Sequence, residues 1–199
     1  MTRLILASLL LATAFVASSA TKLLEHIPLE WRPTSNLQLG TTQTIATTVT
    51  FGTFTDGREN KEAIGENREN DVPRPVTTNA DVGAFVGMHM RHLFDEAGIK
   101  TVDSGGAVTI KGDVQKFFVR EDNTYKSEVT VQLVVSDAAG KILWKGLASG
   151  EATRFGRSYK PENYYEVLSD AVVNTVSSML QAAEFQRALS GHAAGPGIS

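Results

Sequence analysis

The chain has 199 residues, 42% of them apolar, a formal net charge of −3 and no cysteine. These figures describe one ordinary globular domain with tails, and exclude a collagen, a disordered acidic chain and a disulfide scaffold. They also exclude thiol nucleophiles, thiolate zinc sites and iron–sulfur clusters, and the mild acidity without a dense Lys/Arg cluster argues against a nucleic-acid surface.

Arg3 stands before an uncharged apolar run from Leu4 to Val16, followed by the small residues Ala17-Ser18-Ser19-Ala20. This is the pattern of a secretory signal peptide over residues 1–20, and the run is too short for an ordinary transmembrane helix. Residues 21–43 read as a leader with few periodic signals. No second apolar run approaches membrane-spanning length, so no integral span is expected after signal removal.

Thr44 to Phe54 is rich in Thr, Val, Ile and Phe, with Ile45, Val49 and Phe51 at period two, and predicts a strand. Thr55 to Thr77 breaks periodicity with Gly57, Gly65, Pro73, Pro75 and many charges, and predicts a long loop. A helix follows to about Ala97, capped by Thr78 or Asn79, carrying Val82, Phe85, Val86, His89, Leu93 and Ala97 on one face and stopped by Gly98. Val108 to Val119 reads as a strand with Val108, Ile110, Val114 and Phe118 on one face and Phe117 turned away. Tyr125 to Ser136 and Lys141 to Thr153 are further strands, joined by short polar turns. The small residues of the last of these would let a helix pack close. After a loop at Phe155–Lys160, Pro161 opens a helix that continues to about Leu189, and the end from 190 to 199 should be disordered.

The expected fold is therefore α+β in the order β-α-β-β-β-α over residues 44–189: a two-layer sandwich, its mostly antiparallel sheet covered on one face by two helices.

A resemblance follows from particular residues. One part is the strand ending in Phe54-Thr55-Asp56-Gly57-Arg58, then Ile64-Gly65, then the helix ending in Ala97-Gly98. The other is the meander with Val129–Val135, Asp137, Gly140-Lys141 and Trp144, followed by a long helix. Together, over about residues 44–185, these resemble the YajG-like family of small bacterial envelope lipoproteins. More distantly, the order is similar to sheet-and-two-helix domains of envelope assembly and secretion factors. The resemblance implies an envelope protein without established catalytic residues. That family usually carries a lipid-modified cysteine after the signal, and this sequence has none.

Met88, His89 and His92 form the most conspicuous chemical cluster, since imidazole and thioether ligands suit copper. Two close histidines fall short of the three or four ligands of a closed site, and the methionines can equally fill gaps in a core. Asp56, Arg58, Lys61 and Arg68 lie in the charged loop, where solvated carboxylates make poor acid–base pairs and loop charges suit recognition. Phe155 and Tyr159 belong to the second loop. No G-x-S-x-G, H-E-x-x-H or Walker motif is present, and no cofactor is implied. The leading expectation is a non-enzymatic, exported envelope protein that binds an envelope protein partner through Asp56, Arg58, Lys61, Arg68, Phe155 and Tyr159, or through an exposed sheet edge. The alternative is a periplasmic small-ligand or metal-binding protein using the helix–sheet groove or the Met88–His92 cluster.

Overall fold

Period-two segments at the chain's centre form the sheet, as seen in a computed structural model that describes residues 23–38 and 47–192. The signal segment, the start of the first strand at Thr44 and the tail beyond His192 lie outside the described residues. The strands are β1 (Thr48–Asp56), β2 (Ala63–Asn67), β3 (Arg74–Thr77), β4 (Lys100–Val102), β5 (Val108–Glu121), β6 (Thr124–Asp137) and β7 (Ile142–Phe155). The helices are α1 (Val82–Glu96), α2 (Pro161–Gln181) and α3 (Ala183–Leu189).

The fold is α+β, but its seven-stranded sheet is mixed rather than mostly antiparallel. The meander β5-β6-β7 is antiparallel as expected. β1 runs parallel to both β4 and β5, and β2 parallel to β5. The order β-α-β-β-β-α is also corrected, because the expected loop at 55–77 contains β2 and β3 and a short β4 follows α1. Those strands are three to five residues long and carry Gly65 and Pro75, so they are too short and too interrupted to alternate.

β1 and β2 share one edge of β5 end to end. β1 pairs with Val108–Val114 and β2 with Val119–Glu121, while β6 takes the other edge along the whole strand. Between the two, β5 carries a bulge at Val114/Lys116. A bulge adds one residue and reverses the faces beyond it. Phe117 is therefore fully buried and Phe118 turned outward, the reverse of the sequence expectation. A second bulge in β1, between Phe51 and Phe54, brings Phe54 opposite Gly112 on the helix side.

α1 starts at Asp81, whose side chain accepts from the Ala84 N–H, rather than at Thr78 or Asn79. It ends at Gly98 (φ +78°), where the Ile99 N–H returns to the Phe94 carbonyl. Gly83 and Gly87 let α1 lie directly on β1: a Cβ on Gly83 would meet the Thr55 carbonyl carbon at 2.7 Å, and one on Gly87 would meet Phe54 at 2.7 Å. α2 sits on β7 at Gly150, where a Cβ would collide with Ala171 O and Thr175 N of the helix, while Gly146 is covered by the Trp144 ring. Gly150 thus performs the close packing expected of the small residues in this strand. The expected single helix to Leu189 breaks at Ala182, whose extended backbone (ψ 118°) separates α2 from α3. This turns Phe185 back onto Trp144 and Phe94.

The leader residues 23–38 are part of this packing. They form a strap that begins beside β3, with a bridge from Leu24 to Val76. It crosses α1 at Trp31, which stacks on His89 at 4.1 Å. It then follows α2, where Ser169 accepts from the Arg32 N–H and Asp170 from the Thr34 and Ser35 N–H groups at 2.6 and 2.7 Å. Nearly the whole circumference of α2 is buried as a result.

Candidate functional site

The six residues singled out for partner binding fall into two groups. Asp56, Arg58 and Lys61 lie in the notch between β1 and β2, beside the β5 bulge. Arg58 is buried there, and its guanidinium closes the gap in the sheet. Nε and Nη2 donate to the two Asp56 oxygens at 2.8 Å each, Nη1 to Ala63 O and Phe117 O, and Nη2 also to Lys61 O. A guanidinium has five N–H donors, and each has an acceptor inside the chain. Burial alone would raise the Asp56 carboxyl, but the hydrogen bonds and charge of Arg58 outweigh it and hold it below the usual carboxylate range. Arg58 and Asp56 hold the strand junction together, and of this group Lys61 is the exposed member.

A cleft of about 660 Å³ opens next to this notch. Lys61, Glu62, Asp56, Asn79 and Asp81 border it, together with the threonines 53, 55 and 78. Its lining mixes both signs.

The second group gathers at the far end of the sheet, where the β2–β3 turn, the β5–β6 turn and the loop after β7 meet. Glu121, fully buried, organises it. Its Oε1 accepts from the Ser158 and Tyr159 N–H groups at 3.2 and 2.9 Å, and its Oε2 from the Tyr164 hydroxyl at 2.6 Å. Burial would raise this carboxyl, yet hydrogen bonds from Tyr125, Tyr164 and the Tyr159 backbone together hold it below its ordinary value. The Tyr164 hydroxyl is driven far upward by burial and by that carboxylate.

Tyr159 is buried, in a left-handed backbone conformation (φ +40°), with its hydroxyl donating to Pro75 O at 3.1 Å and accepting from Leu24 N–H. The Arg74 guanidinium covers its ring at 4.2 Å. Tyr159 thus ties the strap, β3 and the last loop together. Arg68 is exposed and pairs with Glu66. Arg157, which the sequence reading passed over, bonds to Asn123 and stands 3.9 Å from Glu69, joining the three loops. Phe155 is 87% exposed at this end, and Val72, also passed over, is 75% exposed. Val72 is a lone apolar residue among charges, a signal that could have marked it from sequence.

Met88, His89 and His92 stand on α1 in different surroundings. His89 is sandwiched against Trp31 and Phe85, and burial, with a smaller effect from His92, lowers its pKa to about 4. His92 faces Glu96 at 3.0 Å, and Met88 is exposed. Among the described residues no three His, Cys, Asp or Glu side chains group as metal ligands would.

No family model matches the sequence, and no curated protein matches it. Solved structures do. A Xanthomonas campestris protein of the DUF330 family superposes with a TM-score of 0.52 over 74% of this chain and 90% of that one, at 7% identity. A candidate lipoprotein from Caulobacter crescentus (TM-score 0.42, 15% identity) covers 64% of this chain and 88% of its own. PelC of Paraburkholderia phytofirmans, solved as a dodecamer (TM-score 0.43, 12% identity), covers 72% and 92%. At such identities the likeness to the Xanthomonas protein is one of fold. The YajG-like family is not named among these neighbours. Among the described residues no helix is long and apolar enough to cross a membrane.

Proposed function

We propose that this is an exported, non-enzymatic accessory protein of the bacterial envelope, which binds an envelope protein partner through the loop end of its sheet. The observation that carries this reading is the contrast at that end. Glu121, Tyr164, Tyr159 and Arg74 are engaged with one another or with the backbone, while Phe155 and Val72 project into solvent beside Arg68 and Arg157. An aromatic anchor with arginines around it has the composition of a protein-recognition surface. In the notch, Asp56 and Arg58 act by holding the loop that presents Lys61. Support for export comes from the Leu4–Val16 run and the small residues after it, and for the class of protein from the fold shared with a DUF330 chain.

Photo-crosslinking in intact cells tests the reading, with the reactive residue placed at Phe155 or, as a control, at Glu96. Glu96 is exposed at the opposite end, since α1 leads back to the start of β1. Repeated capture of one envelope protein from position 155 and not from 96 supports it. Equal capture at both sites, or none, refutes the proposed surface. Recovery of the protein with the cytoplasm rather than the periplasmic fraction refutes export.

A further inference from the structure

β7 is the long free edge of the described sheet. It is 14 residues long, pairs with β6 alone, and keeps unbroken register from Trp144 to Phe155. The opposite margins are short: β4 has three residues, and β3 is partly bridged by Leu24. Asn174 of α2 donates to Glu151 O at 2.8 Å, so this carbonyl faces away from β6. Backbone groups alternate between the two edges of an antiparallel strand. Lys145, Leu147, Ser149 and Glu151 therefore present theirs to the free edge, with their side chains on the sheet face opposite the helices.

Edge strands are normally blunted by prolines, bulges or a run of like charge. This stretch has none of these. Its charged residues, Lys145 and Glu151, form no ion pair among the described residues, and Leu147 is 63% exposed in mid-strand.

We propose that a second copy of this chain docks on this edge, β7 antiparallel to β7, with the two-fold axis at Ala148. The sequence is self-complementary about that point. Lys145 falls opposite Glu151 of the second copy, and by symmetry the same pair forms again on the other side. Leu147 lies opposite Ser149 and diagonal to its own twin, within reach of a long side chain across a sheet. On the helix face Gly146 meets Gly150, and Ala148 meets Ala148; the bulk there is each chain's own Trp144 ring, which covers its Gly146, and α2, which rests on Gly150. A slip of two residues in either direction breaks both charge pairs, which fixes the register. The Asn174 amide uses one of the two lone pairs of Glu151 O and leaves the other for the ladder. An isologous contact of this kind uses up both free edges and closes at two copies rather than growing into a fibre. The partner surface at the loop end is a separate feature, and neither reading depends on the other.

Charge exchange tests the register directly, read by sedimentation velocity on the full chain over a range of concentrations. Wild type should dimerise. Lys145→Glu and Glu151→Lys each convert two attractive pairs into two repulsive ones and should weaken dimerisation by roughly tenfold or more. Both sites are exposed, so far-ultraviolet circular dichroism should be unchanged, and melting should match wild type at concentrations low enough that both are monomeric. An equimolar mixture of the two variants sets an edge with two acidic side chains against an edge with two basic ones. Both cross-strand pairs are then attractive again and the dimer should return, as it should when both exchanges are made in one chain. A wild type that stays monomeric throughout overturns the proposal. So does a dimer indifferent to either exchange, or two weakened variants that fail to associate on mixing.

Discussion

Replacing Gly150 by alanine adds a single methyl group to β7, and its expected effect can be worked from the helix above it. The new Cβ would fall within 3.0 Å of Ala171 O, Thr175 N and Thr175 Oγ1, where ordinary contact begins at 3.4 Å. Two of these obstacles are backbone atoms in the middle of α2 and cannot rotate aside. The helix must retreat by roughly 1 Å, and a gap of that order forfeits a quarter to a half of each dispersion contact it opens. α2 buries Leu168, Val172 and Val176, and the loss is shared among them. Overpacking ordinarily costs about 1–3 kcal/mol, and a backbone obstacle belongs at the upper end, about 3 kcal/mol. At this chain length that corresponds to a fall in Tm of roughly 6–12 °C. Urea unfolding should show a lower midpoint with an unchanged slope. Gly140→Ala is the control: its φ is +83° with nothing within 4 Å of the added Cβ, so only the left-handed backbone penalty of about 1 kcal/mol applies. A Gly150→Ala protein melting within about 2 °C of wild type would refute the claim that α2 rests on β7 at this point.

Three further outcomes follow from the packing and charges. Phe117→Ala should cost about 3–5 kcal/mol in chemical denaturation and Phe118→Ala within about 0.5, because the bulge puts Phe117 inside. Equal losses would refute the bulge. Arg58→Ala leaves the shielded Asp56 carboxylate and the carbonyls of Lys61, Ala63 and Phe117 without their donor, and should cost about 3–5 kcal/mol. The double change Asp56→Asn/Arg58→Met should recover part of it, and no recovery would show that the notch does not depend on the pair. His89 has a folded pKa of about 4 against an ordinary 6.5, so the unfolded chain takes up its proton first as pH falls. Stability should therefore be fully present above pH 6.5 and decline as pH falls from 6.5 towards 4, and His89→Phe should flatten that window. Trp31→Ala should move the imidazole titration, followed by proton NMR, back towards 6.5. An unmoved titration would mean that the strap does not shield His89.

The meander, α1 with its stop at Gly98 and the close approach of a helix to the last strand were legible because each is written locally. Alternation, a terminating glycine and a run of small residues need no knowledge of distant partners. β2 and β3 were not legible, because with Gly65 and Pro75 in so few residues they become strands only beside β5 and the strap. The faces of Phe117 and Phe118 were misread because a bulge shifts the period at a place set by the notch rather than by β5 itself. Arg58 looked like a surface charge in a charged loop. Its burial follows from the missing rung between β1 and β2, which no short window of sequence contains. Lys61, Arg68 and Phe155 are exposed, and the separation of Lys61 from the other two was not legible, because it depends on where β2 joins β5.

The sequence by itself determined the α+β class, the three long strands and the helix that spans them, since these rest on periodicity and on apolar surface that has to be buried. Tertiary structure alone decided the mixed strand directions, the three short strands, the strap over α1 and α2 and the conversion of Asp56–Arg58 from a candidate contact into an internal joint. Each of these depends on a hydrogen-bonding or packing partner far away in the chain. Their energy exists only once the sheet has brought the two together.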